Sequence, residues 1–280
     1  MANPLLTSAL DLANHTASGV WQKNIKSGII GSLTPDDPQI MVGSTDFFTF
    51  TGTPKAELVG EGANKSSADG TPAKKTSKTY KVQLTYRFSD EVRYADEEYR
   101  LRLMETLAGR IATGVSRAID LVAIHGVNPA TGEVAGGVVD YITKSGNGTV
   151  INSTSATPEV DLDAAAAALQ GSGYTATGIA LDPVYAGVLA RTKKTNGDRV
   201  FPELGLGFNV ERIAGINAAV NNTVSGSAEF PGAIATGVGA IMADWSAIKW
   251  GIARNVPLHL IEYGDPDGAG DLQRTNQIAI

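Results

Sequence analysis

The sequence predicts an α+β protein, and three patterns carry that expectation. Between Asp96 and Ile124, Leu101, Met104, Ala108, Ile111, Val115, Ala118 and Val122 recur at alternating spacings of three and four. That is the apolar stripe of one long amphipathic helix. From Thr79 to Phe88, and again from Arg254 to Tyr263, apolar and polar side chains alternate with the two-residue period of half-buried strands. Helices and strands do not alternate in a βαβ rhythm, and no internal repeat is present.

Each element follows from its own residues. Leu5, Leu6, Ala9 and Leu12 make one short helical face in an otherwise turn-rich N-terminal segment that includes Gly28, Gly31 and the Thr34–Pro38 cluster, so residues 1–46 read as an extended arm. Residues 45–52 form a strand with Phe48 and Phe50 on one face, and the alternating run 79–88 is its expected partner. The polar stretch from Gly60 to Lys78 would then be the tip of a long ribbon. Such a ribbon is marginal in water alone and should lie on its own core or on a neighbour. Asp96, Glu97 and Glu98 open the long helix, where its dipole favours anions, and Gly126 and Pro129 end it. A second helix is predicted over 161–170 with Asp161 as N-cap. A buried strand follows at Ile179–Leu181. Asp182 and Pro183 then form an N-cap and first-position pair for a helix ending near Asn196-Gly197. Short strands are expected at 212–216, 233–236 and 240–243. A turn over 264–270 precedes a last strand from Leu272, still running at Ile280, so further residues are expected beyond it.

Composition narrows the function. Among 280 residues, 42% are hydrophobic, too many for intrinsic disorder. No run approaches the ~18 apolar residues of a membrane span. The first residues lack the basic start of a signal peptide. Cysteine is absent, which excludes disulfides, thiolate metal sites and cysteine nucleophiles, and fits a reducing cytoplasm. The net charge of −6, with only Lys23 and Lys26 as cations in residues 1–46, argues against a protein that condenses nucleic acid with basic arms. Charged residues are 19%, and there are 32 glycines and 12 prolines: fewer charges and more bends than an average soluble chain.

No motif commits the chain to chemistry. There is no Walker A pattern and no nucleophile elbow. Gly171, Gly173 and Ala176 match part of a dinucleotide fingerprint but follow a helix, so they read as a helix stop. His15, His125 and His259 lack metal-site spacing, and His125 reads as a helix cap rather than a base. Asp265, Asp267 and Asp271 miss the calcium-loop register, leaving a plain acidic turn. No metal or other cofactor is expected. The ribbon lysines Lys65, Lys74, Lys75 and Lys78 keep three readings open: a solvated loop, contact with an acidic partner surface such as the helix start at Glu97 and Glu98, or attack of a desolvated lysine on an asparagine of another subunit.

The order of these segments resembles the major capsid proteins of tailed bacteriophages, the Hong Kong 97 type of fold. The segments are ELVGEGANKSSADGTPAKKTSKTYKVQLTYRFSDEV (57–92), AGRIATGVSRAIDLVAIHGVNPATGE (108–133, with Asp120 near the helix end), IALDPVYAGVLARTKKTNGDRVFPE (179–203), AIMADWSAIKWGIARNVPLHLIEY (240–263) and LQRTNQIAI (272–280). The resemblance implies an N-terminal arm (1–46), an extended ribbon loop (47–88), a peripheral domain with the long backbone helix (89–150), an axial domain (151–252) and a peripheral hairpin (253–280). It implies a non-enzymatic shell protein of the virion, assembled in the host cytoplasm into hexamers and pentamers of an icosahedral head around double-stranded DNA that it does not read. Scaffolding, portal and decoration proteins are the implied partners besides itself, and no membrane is involved. Lys65, Lys74, Lys75, Lys78, Glu97 and Glu98 become candidate inter-subunit contacts. A nanocompartment shell enclosing a cargo enzyme is the alternative on the same fold, and an enzyme on an unrelated α+β fold is the remote one.

Overall fold

The computed structural model describes residues 28–34, 46–51, 56–62, 64, 71–76, 79–94, 97–138, 140–151, 157–205, 210–226, 237–248, 250–251 and 260–280. In chain order the elements are α1 (Ile29–Leu33), β1 (Asp46–Thr51), β2 (Thr71–Thr76), β3 (Arg87–Ser89), α2 (Glu97–His125), α3 (Pro158–Gly171), β4 (Gly178–Leu181), α4 (Pro183–Arg191), β5 (Arg212–Ile213), β6 (Ile216–Val220), β7 (Ala240–Ala243) and β8 (Gln277–Ala279). The chain divides into a larger compact unit (Met1–Asp36, Val82–Lys249, Pro257–Ile280) and a smaller one (Asp37–Lys81, Trp250–Val256).

In the larger unit the expected stripe of α2 is buried from Ala108 through Ile111 and Val115 to Ala118. Toward the C-terminal end the buried face widens to Ala112, Leu121 and Ile124, and it also takes in Ser116, Asp120 and His125. Gly126 ends the helix in the left-handed region (φ 67°), a conformation that costs other residues. A Cβ there would sit 2.4 Å from the Tyr141 ring. Asp182 caps α4 as expected, accepting from the Val184 amide at 2.8 Å with Pro183 behind it.

The second core is a four-stranded sheet ordered β5-β6-β4-β7 with α3 and α4 packed on it. Ile179, Leu181, Leu189, Leu204 and Ile213 are its buried centre. Full burial of each large aliphatic contributes about 1.5–3 kcal/mol. Trp245 is wholly buried, and its indole N–H donates to the Gly178 carbonyl at 2.9 Å. A Cβ on residue 178 would meet that indole at 2.8 Å, so only glycine admits it.

The structure departs from the sequence reading in several places. β1 pairs with β2, Asp46 opposite Thr76 and Thr51 opposite Thr71, and not with 79–88. The alternating run is a strand only at β3, which pairs antiparallel with β8, while Tyr86 exchanges amide hydrogen bonds with Ile280. The period was read correctly, but it does not name a partner, and the C-terminal strand takes that role. Residues 29–33, read as part of a turn-rich stretch, form α1 between Gly28 and Thr34. Helix α3 starts at Pro158 after Thr157, which leaves Asp161 inside its first turn rather than capping it. Helix α4 stops at Arg191, and Asn196-Gly197 turns a hairpin in which Lys193 faces Arg199. The run 212–216 folds back on itself: Ala214 (φ 50°) and Gly215 (φ 85°) form a two-residue loop between β5 and β6. β4 and β6 are parallel, joined through α4, so one βαβ crossover exists where none was expected. Gln273–Thr275 is a helical turn before β8. The strand expected at 233–236, residues 254–259 of the strand expected over 254–263, and the face of Leu5, Leu6, Ala9 and Leu12 lie outside the described residues, while Ile261 bridges Ala279 of β8.

Gly126→Ala is expected to lose about 1–3 kcal/mol in urea unfolding, more than Gly173→Ala. Gly173 has a similar φ of 81° but open space around it, so the control carries the backbone strain without the ring clash.

Candidate functional site

Two features organise the larger unit. The first is a buried polar line on the C-terminal half of α2. Asp120 is 1% exposed, and its two carboxylate oxygens accept from the amides of Ile29 (2.9 Å) and Ile30 (3.0 Å), the first turn of α1. Thr223 Oγ1 donates to the same carboxylate at 3.1 Å. The backbone of Gly28 passes so close that a Cβ would meet Ser116 Oγ at 2.5 Å. One turn further along α2, His125 Nε2–H donates to the Thr223 and Val224 carbonyls, both at 3.0 Å, and Nδ1 lies 3.3 Å from Thr143 Oγ1. Ser225 Oγ then donates to Asp182, the cap of α4. The turn 223–225 therefore ties α1, α2 and α4 together through buried hydrogen bonds.

Burial pushes the Asp120 carboxyl above its usual range, against the Ile30 and Ile29 amides, the Thr223 hydroxyl and the Arg117 charge, all of which favour the ionised form. Burial also pushes His125 below its ordinary 6.5, against the two carbonyls. The sequence reading made this ring a cap of its own helix. It instead turns away from that helix end and donates to the carbonyls of Thr223 and Val224, which have no other side-chain donor among the described residues to bring them onto α2. Sequence reasoning named Asp120 only within the resemblance and missed its role. The signal was present: a carboxylate in the last turns of a helix opposes the helix dipole, and this one shares a face with Ser116 and Ile124.

The second feature is the set of exposed surfaces. Tyr94 (87% exposed) and Tyr99 (58%) flank the start of α2. On the exposed side of α2, Thr106, Arg110, Thr113 and Arg117 line an open groove of about 450 Å³ bounded by Tyr86. In the smaller unit Leu58 is fully exposed between Glu57 and Glu61, and Phe48 is exposed on β1.

The sequence-predicted contact residues fare differently. Lys74 Nζ lies 2.8 Å from Asp46 Oδ2 within the ribbon, and holds that carboxyl below its usual range. Glu98 pairs with Arg102 one turn on. Lys75 and Glu97 lie within β2 and α2, and Lys65 and Lys78 lie outside the described residues, as do His15 and His259. The acidic turn holds no metal cluster among the described residues. Its Asp265 and Asp267 clasp Arg87 of β3, whose Nε donates to Asp267 at 2.7 Å and whose Nη2 donates to Asp265 at 2.8 Å. Asp271 accepts from the amides of Gln273 and Arg274.

A long helix, a two-stranded ribbon and a small mixed sheet, with no convergent catalytic constellation among the described residues, define a Hong Kong 97-like shell subunit. Comparison bears this out. A solved chain from Mycobacterium phage Ogopogo is 38% identical, with a TM-score of 0.77, over 90% of this chain and 85% of that one. One from Gordonia phage Cozz is 26% identical, with a TM-score of 0.70, over 90% and 79%. A structure titled as the capsid of a native GTA particle shares the fold at a TM-score of 0.53 and 14% identity, over 91% and 82%. No family model and no curated protein matches the chain. The chain belongs to the major capsid proteins of tailed bacteriophages, and its role is structural, in the capsid shell.

Asp120→Asn offers one acceptor oxygen and turns an N–H donor toward an amide donor. It is expected to cost about 1–3 kcal/mol and to speed hydrogen exchange at Ile29 and Ile30, where a neutral outcome would show the clasp to be idle. His125, depressed by burial, gives its full stability above pH 6.5 and loses it as pH falls through its folded value. His125→Gln keeps an N–H donor and does not titrate. Its melting temperature should therefore fall less than that of the wild type between about pH 7 and pH 5.

Proposed function

We propose that this chain assembles into hexamers and pentamers of an icosahedral head around double-stranded DNA, with the ribbon and the long helix as its main contacts between copies. In this reading the chain is divided as the resemblance implies, with arm 1–46, ribbon loop 47–88, peripheral segments 89–150 and 253–280, and axial domain 151–252. Scaffolding and portal proteins act in assembly in the host cytoplasm, and the chain catalyses no reaction.

The observation that carries this reading is Leu58, fully exposed on an extended segment beside the half-exposed Val59. Apolar side chains left in water on an ordered backbone call for a partner, and in a closed shell every copy offers the same one. Charge favours a groove on a second copy. Glu57 and Glu61 flank Leu58, and Arg110 and Arg117 line the open side of α2. That is the reverse polarity of the pairing first expected, ribbon lysines on Glu97 and Glu98. The latter pairing stays within the proposal for Lys65, Lys75 and Lys78 beside Tyr94 and Tyr99, because exposed aromatics are enriched where partners dock.

Replacing residues 57–69 with a short Gly-Ser linker removes Leu58 and Val59 but leaves β1, β2 and their six register pairs in the sequence. The variant should melt like the wild type but yield few closed shells in negative-stain electron microscopy. Normal shells would remove the ribbon from assembly, and a wild-type chain that stays monomeric under all assembly conditions would remove the shell reading itself.

A further inference from the structure

We propose that the hairpin joining α4 to the following loop, residues 191–199, is a surface that contacts the phosphates of the enclosed duplex DNA. Its sequence is RTKKTNGDR. Arg191, Lys193, Lys194 and Arg199 are all exposed, and the hairpin holds one acid, Asp198. That carboxylate accepts from the Asn196 side-chain amide at 2.7 Å, and its own amide returns to Asn196 Oδ1 at 3.2 Å. Asp198 is thus spent on the turn and forms no ion pair with the lysines. In a chain with a net charge of −6, this is a concentrated cationic tip.

The backbone makes the point sharper. Lys193 and Arg199 are direct partners in an antiparallel bridge, fixed by Lys194 N–H to the Asp198 carbonyl (2.7 Å) and Val200 N–H to the Thr192 carbonyl (3.1 Å). Like charges directly opposite each other destabilise a hairpin. Arg191 lies in the last turn of α4, where a cation is favoured, and Arg199 Nη1 donates to the Leu204 carbonyl at 3.4 Å. Lys193 and Lys194 answer no such local need, and a polyanion bound across the tip would relieve the repulsion.

The chemistry of the tip selects the kind of polyanion. A protein partner would be met by aromatic or aliphatic anchors at the centre of the contact. From 191 to 199 there is none: every side chain is charged, hydroxyl or amide, or is glycine. Interfaces with nucleic acid are polar and strongly positive. Single-stranded binding uses aromatic side chains on which bases stack, and these too are missing, which favours the duplex backbone. Phosphate contact carries no sequence information, as suits a shell protein that encloses a whole genome. The inference rests on the phage-head reading for its partner. It also tempers the first expectation from net charge: the protein is anionic as a whole, but it carries one small site able to hold the duplex weakly, repeated in every copy.

The test uses the full chain and a fluorescein-labelled duplex of about 30 base pairs, with anisotropy followed over a series of salt concentrations. Lys193→Glu with Lys194→Glu should weaken binding by at least about tenfold and make the log–log salt slope shallower by about two, at an unchanged melting temperature. If that pair fails to fold, Lys193→Gln with Lys194→Gln should give the same change in slope. Unchanged affinity and slope in a folded variant would overturn the proposal. Loss of shells in electron microscopy with DNA affinity intact would also overturn it, assigning the tip to an acidic protein surface. Shell formation by the wild type is scored in the same micrographs, so failure of the phage-head reading would be seen separately.

Discussion

A carboxylate buried in a protein interior must find donors for both oxygens or lose its charge, and at Asp120 the donors come from a different part of the chain. The amides of Ile29 and Ile30 lie 91 and 90 residues away in sequence, and Thr223 lies 103 residues away. A five-residue helix such as α1 has no stability of its own, since helix nucleation is costly and short helices are marginal in water. Its orphan amides are satisfied by Asp120, and its Ile29 and Ile30 side chains are 1% exposed. The same turn that donates Thr223 to Asp120 accepts from His125 and, through Ser225, reaches the cap of α4. The placement of the helix-rich part of the larger unit against its small sheet thus depends on a few buried polar atoms as well as on apolar area.

Local patterns were legible because local physics sets them. The long helix, its acidic start and its glycine stop follow from periodicity and end chemistry, and the Asp182-Pro183 start of α4 follows from capping. Pairing was not legible. The run 79–88 has the strand period, but a period says nothing about which strand answers it. The residues that do answer, Gln277–Ala279, are separated from it by almost two hundred positions. The hairpin at Ala214-Gly215 was hidden because Ala214, a residue without turn preference, adopts a positive φ, held by its amide on Glu203 Oε1 at 3.1 Å. Asp120 escaped notice for a similar reason. An acid near a helix end reads as solvated, and only its position on the apolar face hinted at burial.

The low charge content and the exposed apolar side chains have a common cause. Phe48, Leu58, Tyr94, Val134, Val150 and Val184 are all more than two-thirds exposed in the single chain. Scattered apolar residues are ordinary on a monomer. A chain that belongs to a shell family also meets copies of itself, and apolar side chains covered in such contacts leave water on assembly. Charges would be costly in such contacts unless paired, and a charged content of 19% fits that cost.

The two buried titratable groups act in opposite senses, and this bounds how the polar line responds to acid. Asp120 binds its proton more tightly in the folded chain than in the unfolded one, so its ionisation removes stability as pH rises from the ordinary carboxylate range through its folded value. His125 binds its proton less tightly when folded, so protonation removes stability as pH falls below 6.5. Above 6.5 the histidine is on its neutral plateau and adds no pH dependence. On acidification below 6.5 the histidine opposes folding. It breaks no bond that a neutral ring makes, because Nε2–H already faces the Thr223 and Val224 carbonyls. The cost is the burial of the charge itself, with the two carbonyls and Thr143 Oγ1 beside the ring. The effect therefore falls on the turn 223–225, the segment that also holds Asp120 and the cap of α4.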